Sequence, residues 1–229
     1  ALTVANPSKL HRTGETVEVN LPNGSQPAVV MEDLTSRIVP SQIISGQLLF
    51  QADLAPGESR RYLLLPAASL ASIPPADART HCRFVPERLD DFAWESDRIA
   101  HRAYGPAVMA DPKEKLRSSG FDVWVKSTRS LVIDRWYRSG DYHADHGEGL
   151  DNYKVGPARG CGGLGIWDGS QLHTSANFKT WKVLANGPLR SVFELSYEPW
   201  QVAGRPVSET KRISIDAGSN FSRVESTFQ

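Results

Sequence analysis

The chain has 229 residues, of which 40% are hydrophobic and 23% charged, and its formal net charge is zero. That composition describes a folded globular protein with a real core, and it excludes binding of nucleic acid or a membrane surface through bulk charge while leaving room for a local basic pocket. No apolar run approaches the roughly 20 residues that span a bilayer, so membrane insertion is not expected.

The chain opens "ALTVANPSKL", without an initiator Met. This start fits a mature chain after signal cleavage at a small residue, or a trimmed one, and sets the expectation of a periplasmic or secreted protein. Short β-prone runs follow: "ETVEVNLP", "QPAVVMED", "GQLLFQADL" and "SRRYLLLP", bounded by Pro, Gly, Asn and Ser. Asn23-Gly24 is a hairpin signal. The first seventy residues therefore read as an antiparallel meander or small sandwich. The Ala- and Pro-rich stretch that follows reads as a linker-like excursion at 71–80.

From His81 onward charge and aromatics are dense. "DDFAWESDRIAHRAY" is read as a strand in preference to a helix, with Phe92, Trp94, Arg98, Arg102 and Tyr104 on one face. Neither face is cleanly apolar, which suits a strand lining a cleft or a rim. "GFDVWVKS" and "SLVIDRWYRSGDY" are read as further strands. So are "GIWDGSQLHTS", "FKTWKVLANGP", "LRSVFELSYEPW" and "VSETKRISIDAG", with turns at Asp168-Gly169, Asn186-Gly187-Pro188 and Ala203-Gly204. The last residues, "FSRVESTFQ", read as a strand whose sheet continues in residues not given. No long amphipathic helix is expected. The pattern predicts an all-β fold, a large antiparallel β-sandwich over 1–229 that is incomplete at its C-terminus. Its N-terminal strands lie in 1–70, and its main sheet and site loop in 81–229.

The chemistry concentrates in "GDYHADHGEGLDNYKVGPARGCGG", Gly140 to Gly163. Three readings stand side by side. His143-x-x-His146 with nearby carboxylates is a possible ligand set for zinc or another divalent cation, although the glycines forbid the helical zinc-peptidase motif. The same histidines, with Glu148 and Asp151, could do acid–base work, with Tyr142 and Tyr153 as phenolic acids or bases and Lys154, Arg159 and Arg88 neutralising a substrate carboxylate. Proton abstraction beside a neutralised carboxylate is the chemistry of uronate β-elimination and epimerisation. The third reading is purely structural: a turn-rich loop bonding its own backbone. Half the glycines lie between Gly140 and Gly169, which fits close backbone approach to a ligand.

"GPARGCGGLGIWDG" lacks the Lys-Ser/Thr ending of a phosphate loop and no helix follows, so no nucleotide cofactor is expected. Cys161 carries no thiol-protease signature, and Cys82 and Cys161 are read as free thiols, with a disulfide as the alternative. In the His81 segment, Trp94 would stack on a sugar ring while Arg88, Arg98 or Arg102 held a carboxylate. Trp124, Trp136, Trp167, Trp181 and Trp200 read as core.

These residues carry a resemblance. "FVPERLDDFAWESDRIAHRAYGPA", "FDVWVKS", the run from "LVIDRWYRSGDYHADHGEGLDNYK" to "GIWDG", "VLANGPLRSVFELSY" and "ETKRISIDAGSNFSRVESTF" resemble a family of bacterial exported proteins known as domain of unknown function 4861. The resemblance covers nearly the whole chain. It implies the galactose-mutarotase-like β-sandwich, or supersandwich, and a setting beside enzymes that degrade uronate-containing polysaccharides. It also implies a longer protein than these 229 residues. That wider fold hosts epimerases that use His and a carboxylate, lyases that use Tyr, His or Arg, and noncatalytic domains, so the fold alone does not choose among them. The expectation is a lyase acting on an acidic oligosaccharide or polysaccharide. The alternatives are a glycoside hydrolase pairing Asp90 or Asp91 with Glu148 or Asp151, and a noncatalytic carbohydrate-binding domain.

Overall fold

The computed structural model describes residues 1–22, 28–66, 76–114 and 116–229. The Asn23-Gly24 hairpin signal and the first half of the 71–80 excursion, 71–75, lie outside them. The protein is all-β, and every sheet among the described residues is antiparallel. No described helix is long and apolar enough to cross a membrane. The chain divides into two compact units, one of Ala1–Ala78 with Gly187–Leu189 and one of Arg79–Asn186 with Arg190–Gln229.

In the first unit, β1 (Leu2–Ala5), β3 (Ala28–Glu32), β4 (Ile38–Val39) and β7 (Ser59–Pro66) form one sheet, and β2 (Arg12–Asn20), β5 (Ser41–Ile44) and β6 (Gln47–Leu54) form a second. Alternating apolar positions give each sheet one dry face. Val30, Val39 and Tyr62 of the first sheet share a core with Leu48, Phe50 and Leu54 of the second, and the Phe50 and Tyr62 rings lie 4.8 Å apart.

The second unit carries the chemistry. A five-stranded sheet runs β12 (Gly149–Asp151), β11 (Phe121–Lys126), β10 (Ile99–Ala103), β9 (Asp91–Ser96), β8 (Thr80–Val85). A four-stranded sheet is built from β15 (Phe178–Ala185), β16 (Arg190–Val202), β17 (Arg205–Asp216) and β18 (Ser222–Phe228). Phe92, Trp94 and Phe121 of the first sheet pack on Phe193, Leu195 and Ile213 of the second, with Phe92 and Phe193 rings 4.4 Å apart. A small hairpin of β13 (Ile166–Trp167) and β14 (Leu172–His173) leaves Trp167 63% exposed, and Trp181 is 43% exposed, so these two are not the core residues their strand patterns suggested.

Two local readings are corrected here. The stretch from Asp91 to Tyr104 is a hairpin, β9 turning at Asp97-Arg98 into β10, with Ala100 opposite Glu95 and Arg102 opposite Ala93. Arg102 therefore shares a face with Asp91, Ala93 and Glu95, while Trp94 and Phe92 point the other way. All of β9 is buried because the sheet is covered on both sides, dry between the sheets and, on the outer face, carrying the Arg102 ion pairs beside a second apolar cluster.

"LVIDRWYRS" is not a strand but helix α2 (Ile133–Ser139). Ile133, Trp136 and Tyr137 are buried at helical spacing and pack on Val85, Ala93, Ala100 and Trp124 of the outer face. The helix start is satisfied from a distance: the Glu95 carboxylate accepts the N–H groups of Val132 at 2.8 Å and Ile133 at 2.8 Å. It also accepts from Lys126 Nζ at 2.7 Å, with both side chains buried. Gly140 ends the helix at φ 69°, its N–H donating to Trp136 O. Removing the Glu95 carboxylate leaves an unpaired buried ammonium and an uncapped helix. Glu95→Ala is expected to lose about 3–5 kcal/mol of stability. Urea unfolding checks this, and a loss comparable to that of an exposed substitution would show that Glu95 does not hold α2.

Candidate functional site

The site is built from its floor. Arg102 lies on β10 directly across from Asp122 on β11. Its Nη2 donates to Asp122 Oδ2 at 2.5 Å and to Asp151 Oδ2 on β12 at 2.8 Å. Its Nη1 donates to the Tyr142 hydroxyl at 3.3 Å and lies 3.8 Å from Asp91 Oδ2. The three aspartates and the guanidinium are all buried. Arg88, after the short turn Pro86–Arg88, adds a second cation: its Nε donates to the Tyr142 hydroxyl at 3.3 Å and its Nη2 to Glu114 at 3.0 Å. Burial raises the Asp91 carboxyl to about 7 and the Asp151 carboxyl to about 6, against the pull of Arg102.

His143 stands above this floor, its side chain 63% exposed. Its Nδ1 lies 3.1 Å from the backbone carbonyl of Asp151 and 3.5 Å from the Asp151 carboxylate. A carbonyl oxygen only accepts, so this contact places the proton of the neutral ring on Nδ1 and leaves Nε2 as the basic nitrogen. A cleft of about 760 Å³ opens here, a size that suits a small ligand, and Arg88, Arg102, His143, Asp151, Tyr153 and Lys154 line it. Tyr153 is 57% exposed in its wall. The segment after helix α1 (Pro106–Ala110) supplies Lys113, Glu114 and Arg117. Sequence reasoning missed these, although "DPKEKLR" is visible as a charge run between two strands.

Of the residues expected to converge, Arg88, His143, Asp151, Tyr153 and Lys154 do meet in this cleft. The others do not. Trp94 is 0% exposed, donates its Nε1 proton to Ser222 Oγ at 2.9 Å and packs on Phe121 and Phe193, so no sugar ring can stack on it. Arg98 sits in the β9–β10 turn, away from the cleft lining. His146 pairs with Asp141 at 3.0 Å and faces a separate cavity of about 240 Å³, which it shares with Glu148. Glu148 is held by Arg135 at 2.6 Å and by Trp136 Nε1 at 3.3 Å. Tyr142 is a core ring stacked on Trp124, with only its hydroxyl engaged by the two arginines. Arg159 donates to the Pro157 carbonyl and is absent from the cleft lining.

For a carboxylate-pair mechanism, Asp91 and Asp151 share one guanidinium, and Asp90 is not in the lining. Among the described residues no group of three His, Cys, Asp or Glu side chains stands in a metal-holding arrangement. Cys82 is buried and Cys161 exposed, and both are free thiols. Four of the loop glycines, Gly149, Gly160, Gly162 and Gly163, serve the protein's own packing. A Cβ at Gly162 would overlap the Phe121 ring, and one at Gly149 (φ 106°) would strike the Val125 carbonyl across the β11–β12 pair.

Fold and site together define an all-β protein with a cationic cleft on the outer face of a five-stranded sheet. The chain belongs to the family described as Domain of unknown function (DUF4861), which matches residues 4–229. It is 36% identical over 249 residues to "Uncharacterized protein P7" of Formosa agariphila, an alignment covering 98% of this chain and 62% of that protein. The chain thus spans less than two thirds of that relative's length. No solved structure matches.

The raised Asp91 carboxyl has a pH signature. Between about 3.8 and about 7 the folded state binds a proton at Asp91 that the unfolded state has released. The stabilisation is present in full below the unfolded value and is lost as pH rises through the folded one. Asp91→Asn mimics the protonated form at every pH. Wild type is expected to lose on the order of 2 kcal/mol relative to this variant between pH 5 and pH 8. Urea unfolding at both pH values tests it, and an unchanged difference would mean that Asp91 is ionised throughout.

Proposed function

We propose that this protein acts on uronate-containing oligosaccharides as a lyase, by β-elimination in the His143 cleft. The observation that carries this reading is His143 itself: an exposed imidazole whose Nδ1 proton is tied to the Asp151 carbonyl, leaving Nε2 basic in a cleft that also presents Arg88 and Tyr153. In the proposed reaction Arg88 neutralises the uronate carboxylate, which acidifies the C5 proton. His143 Nε2 takes that proton, the C4–O bond breaks as the C4–C5 double bond forms, and Tyr153 delivers a proton to the departing oxygen. Asp151 is a positioning residue through its backbone carbonyl, and Lys154 adds positive charge to the wall. The reading extends to the setting. The family resemblance supports a galactose-mutarotase-like supersandwich protein that serves polysaccharide breakdown and works in the periplasm or outside the cell.

A hydrolase reading is less well supported, because Asp91 and Asp151 are buried on the same arginine and Glu148 is committed to Arg135. Wild-type protein incubated with pectic or ulvan oligosaccharides is expected to generate the ultraviolet absorbance of an unsaturated uronate. His143→Ala is expected to lower that rate by about 10²–10⁴-fold, while His146→Ala stays close to wild type. Saturated products would point to hydrolysis instead, and binding without turnover would point to a noncatalytic domain.

A further inference from the structure

The cleft holds more positive charge than one uronate requires. Arg102 is already matched by Asp122, Asp151 and Asp91, so it has no charge to offer a ligand. Arg88 shares Glu114, and its Nη1 has no hydrogen-bond partner among the described residues. Beyond Arg88, the lining contains Lys113, Arg117 and Lys154, all exposed, and none of them stands within ion-pair distance of a carboxylate among the described residues, although the Asp111 carboxylate feels the charge of Lys113. Lys113 and Arg117 come from the segment after α1, whereas Arg88 and His143 come from the turn before β9 and the loop after α2. Lys113 and Arg117 thus reach the cleft on a different chain segment from the proposed base, and that segment meets Arg88 through Glu114. Cations that outnumber the carboxylates around them repel one another, and an anionic ligand relieves that repulsion.

We infer that the cleft has a second anion subsite, formed by Lys113 and Arg117 with Lys154 beside them, and that its substrate carries at least two negative groups on neighbouring sugars. This rests on the functional reading above and adds to it the charge class of the ligand. A second carboxylate or a sulfate ester would meet the same chemistry, and the subsite acts on affinity and on choice of substrate while leaving the elimination step to His143.

Isothermal titration of the His143→Ala protein, which is expected to bind without turnover, measures this directly. The probes are digalacturonate, with two carboxylates, and an aldobiouronic acid, with one carboxylate on the same number of rings. Digalacturonate is expected to bind at least about tenfold more tightly, the difference of one good charge-assisted contact, and added salt should narrow that gap. Lys113→Ala/Arg117→Ala introduced into the same protein should abolish the preference and leave aldobiouronate affinity unchanged, whereas Arg88→Ala should weaken both ligands. A disaccharide with one uronate and one sulfate ester identifies the anion. If it binds like digalacturonate, the subsite takes either group; if it binds like aldobiouronate, the subsite is selective for carboxylates. Equal affinity for the singly and doubly charged disaccharides, or an equal loss for both in the Lys113/Arg117 variant, overturns the second subsite while leaving the functional reading standing. Binding of neither disaccharide overturns both.

Discussion

The guanidinium of Arg102 is the interaction on which the cleft-bearing face depends. It sits on the central strand of the five-stranded sheet and reaches an aspartate on each of three other strands: Asp91 on β9, Asp122 on β11 and Asp151 on β12. Taking four charges out of water is expensive unless their partners are close and well aligned. The arrangement offsets that cost by hydrogen bonds from Nη2 to two carboxylates and by aromatic rings around the cation, with Tyr104, Trp124 and Tyr142 centroids 5.3–5.6 Å from its carbon. The same cluster specifies register. A slip of one residue along β10 would carry Arg102 to the dry side, among Phe92, Trp94 and Phe193, with no partner there.

From that floor the site follows by short steps. Asp151 ends β12, and its backbone carbonyl meets His143; Tyr142, next to His143, takes hydrogen bonds from Arg102 and Arg88. The loop's two ends are thus tied to the sheet within a few residues of the imidazole, so a flexible-looking segment presents a fixed ring. Helix α2 covers the rest of the outer face and is held at its start by Glu95 from β9. Sheet and helix are the rigid scaffold, and His143, Tyr153 and Lys154 stand on the connections between them.

Much of the fold was legible in sequence because strands of alternating polarity carry their own signal, and β2, β3, β6, β7 and β11 all fall where the pattern put them. The failures have physical causes. "LVIDRWYRS" has too few residues to separate a helical from a strand period, and the group that decides it, Glu95, lies far away in sequence. The β9–β10 turn, Asp97-Arg98, contains neither Gly nor Pro, so two strands read as one and Arg102 was assigned to the face of Trp94. Within the loop, residue type marked His143, Tyr153 and Lys154 as well as His146 and Glu148. Only cross-strand geometry sends the first three to the cleft and the last two to Asp141 and Arg135. The Arg102–Asp122 pair was invisible for the same reason: neither residue is unusual until the strands align.

The cleft is electrostatically layered, and the layering assigns roles. Its floor is charge-matched from within, with Arg102 facing three aspartates and with burial raising the Asp91 and Asp151 carboxyls. Its rim is open, with Lys113, Arg117 and Lys154 exposed and outside ion-pair distance of any carboxylate among the described residues. Arg88 belongs to both layers, tied by Nε to Tyr142 below and by Nη2 to the exposed Glu114 above. A ligand anion entering from solvent therefore meets Arg88 by displacing a partly solvated contact, whereas reaching Arg102 would require breaking a buried network. In the proposed elimination this makes Arg88, and not the more deeply buried Arg102, the group that neutralises the substrate carboxylate. Arg102 then acts at one remove, by fixing the strand whose carbonyl orients the His143 ring.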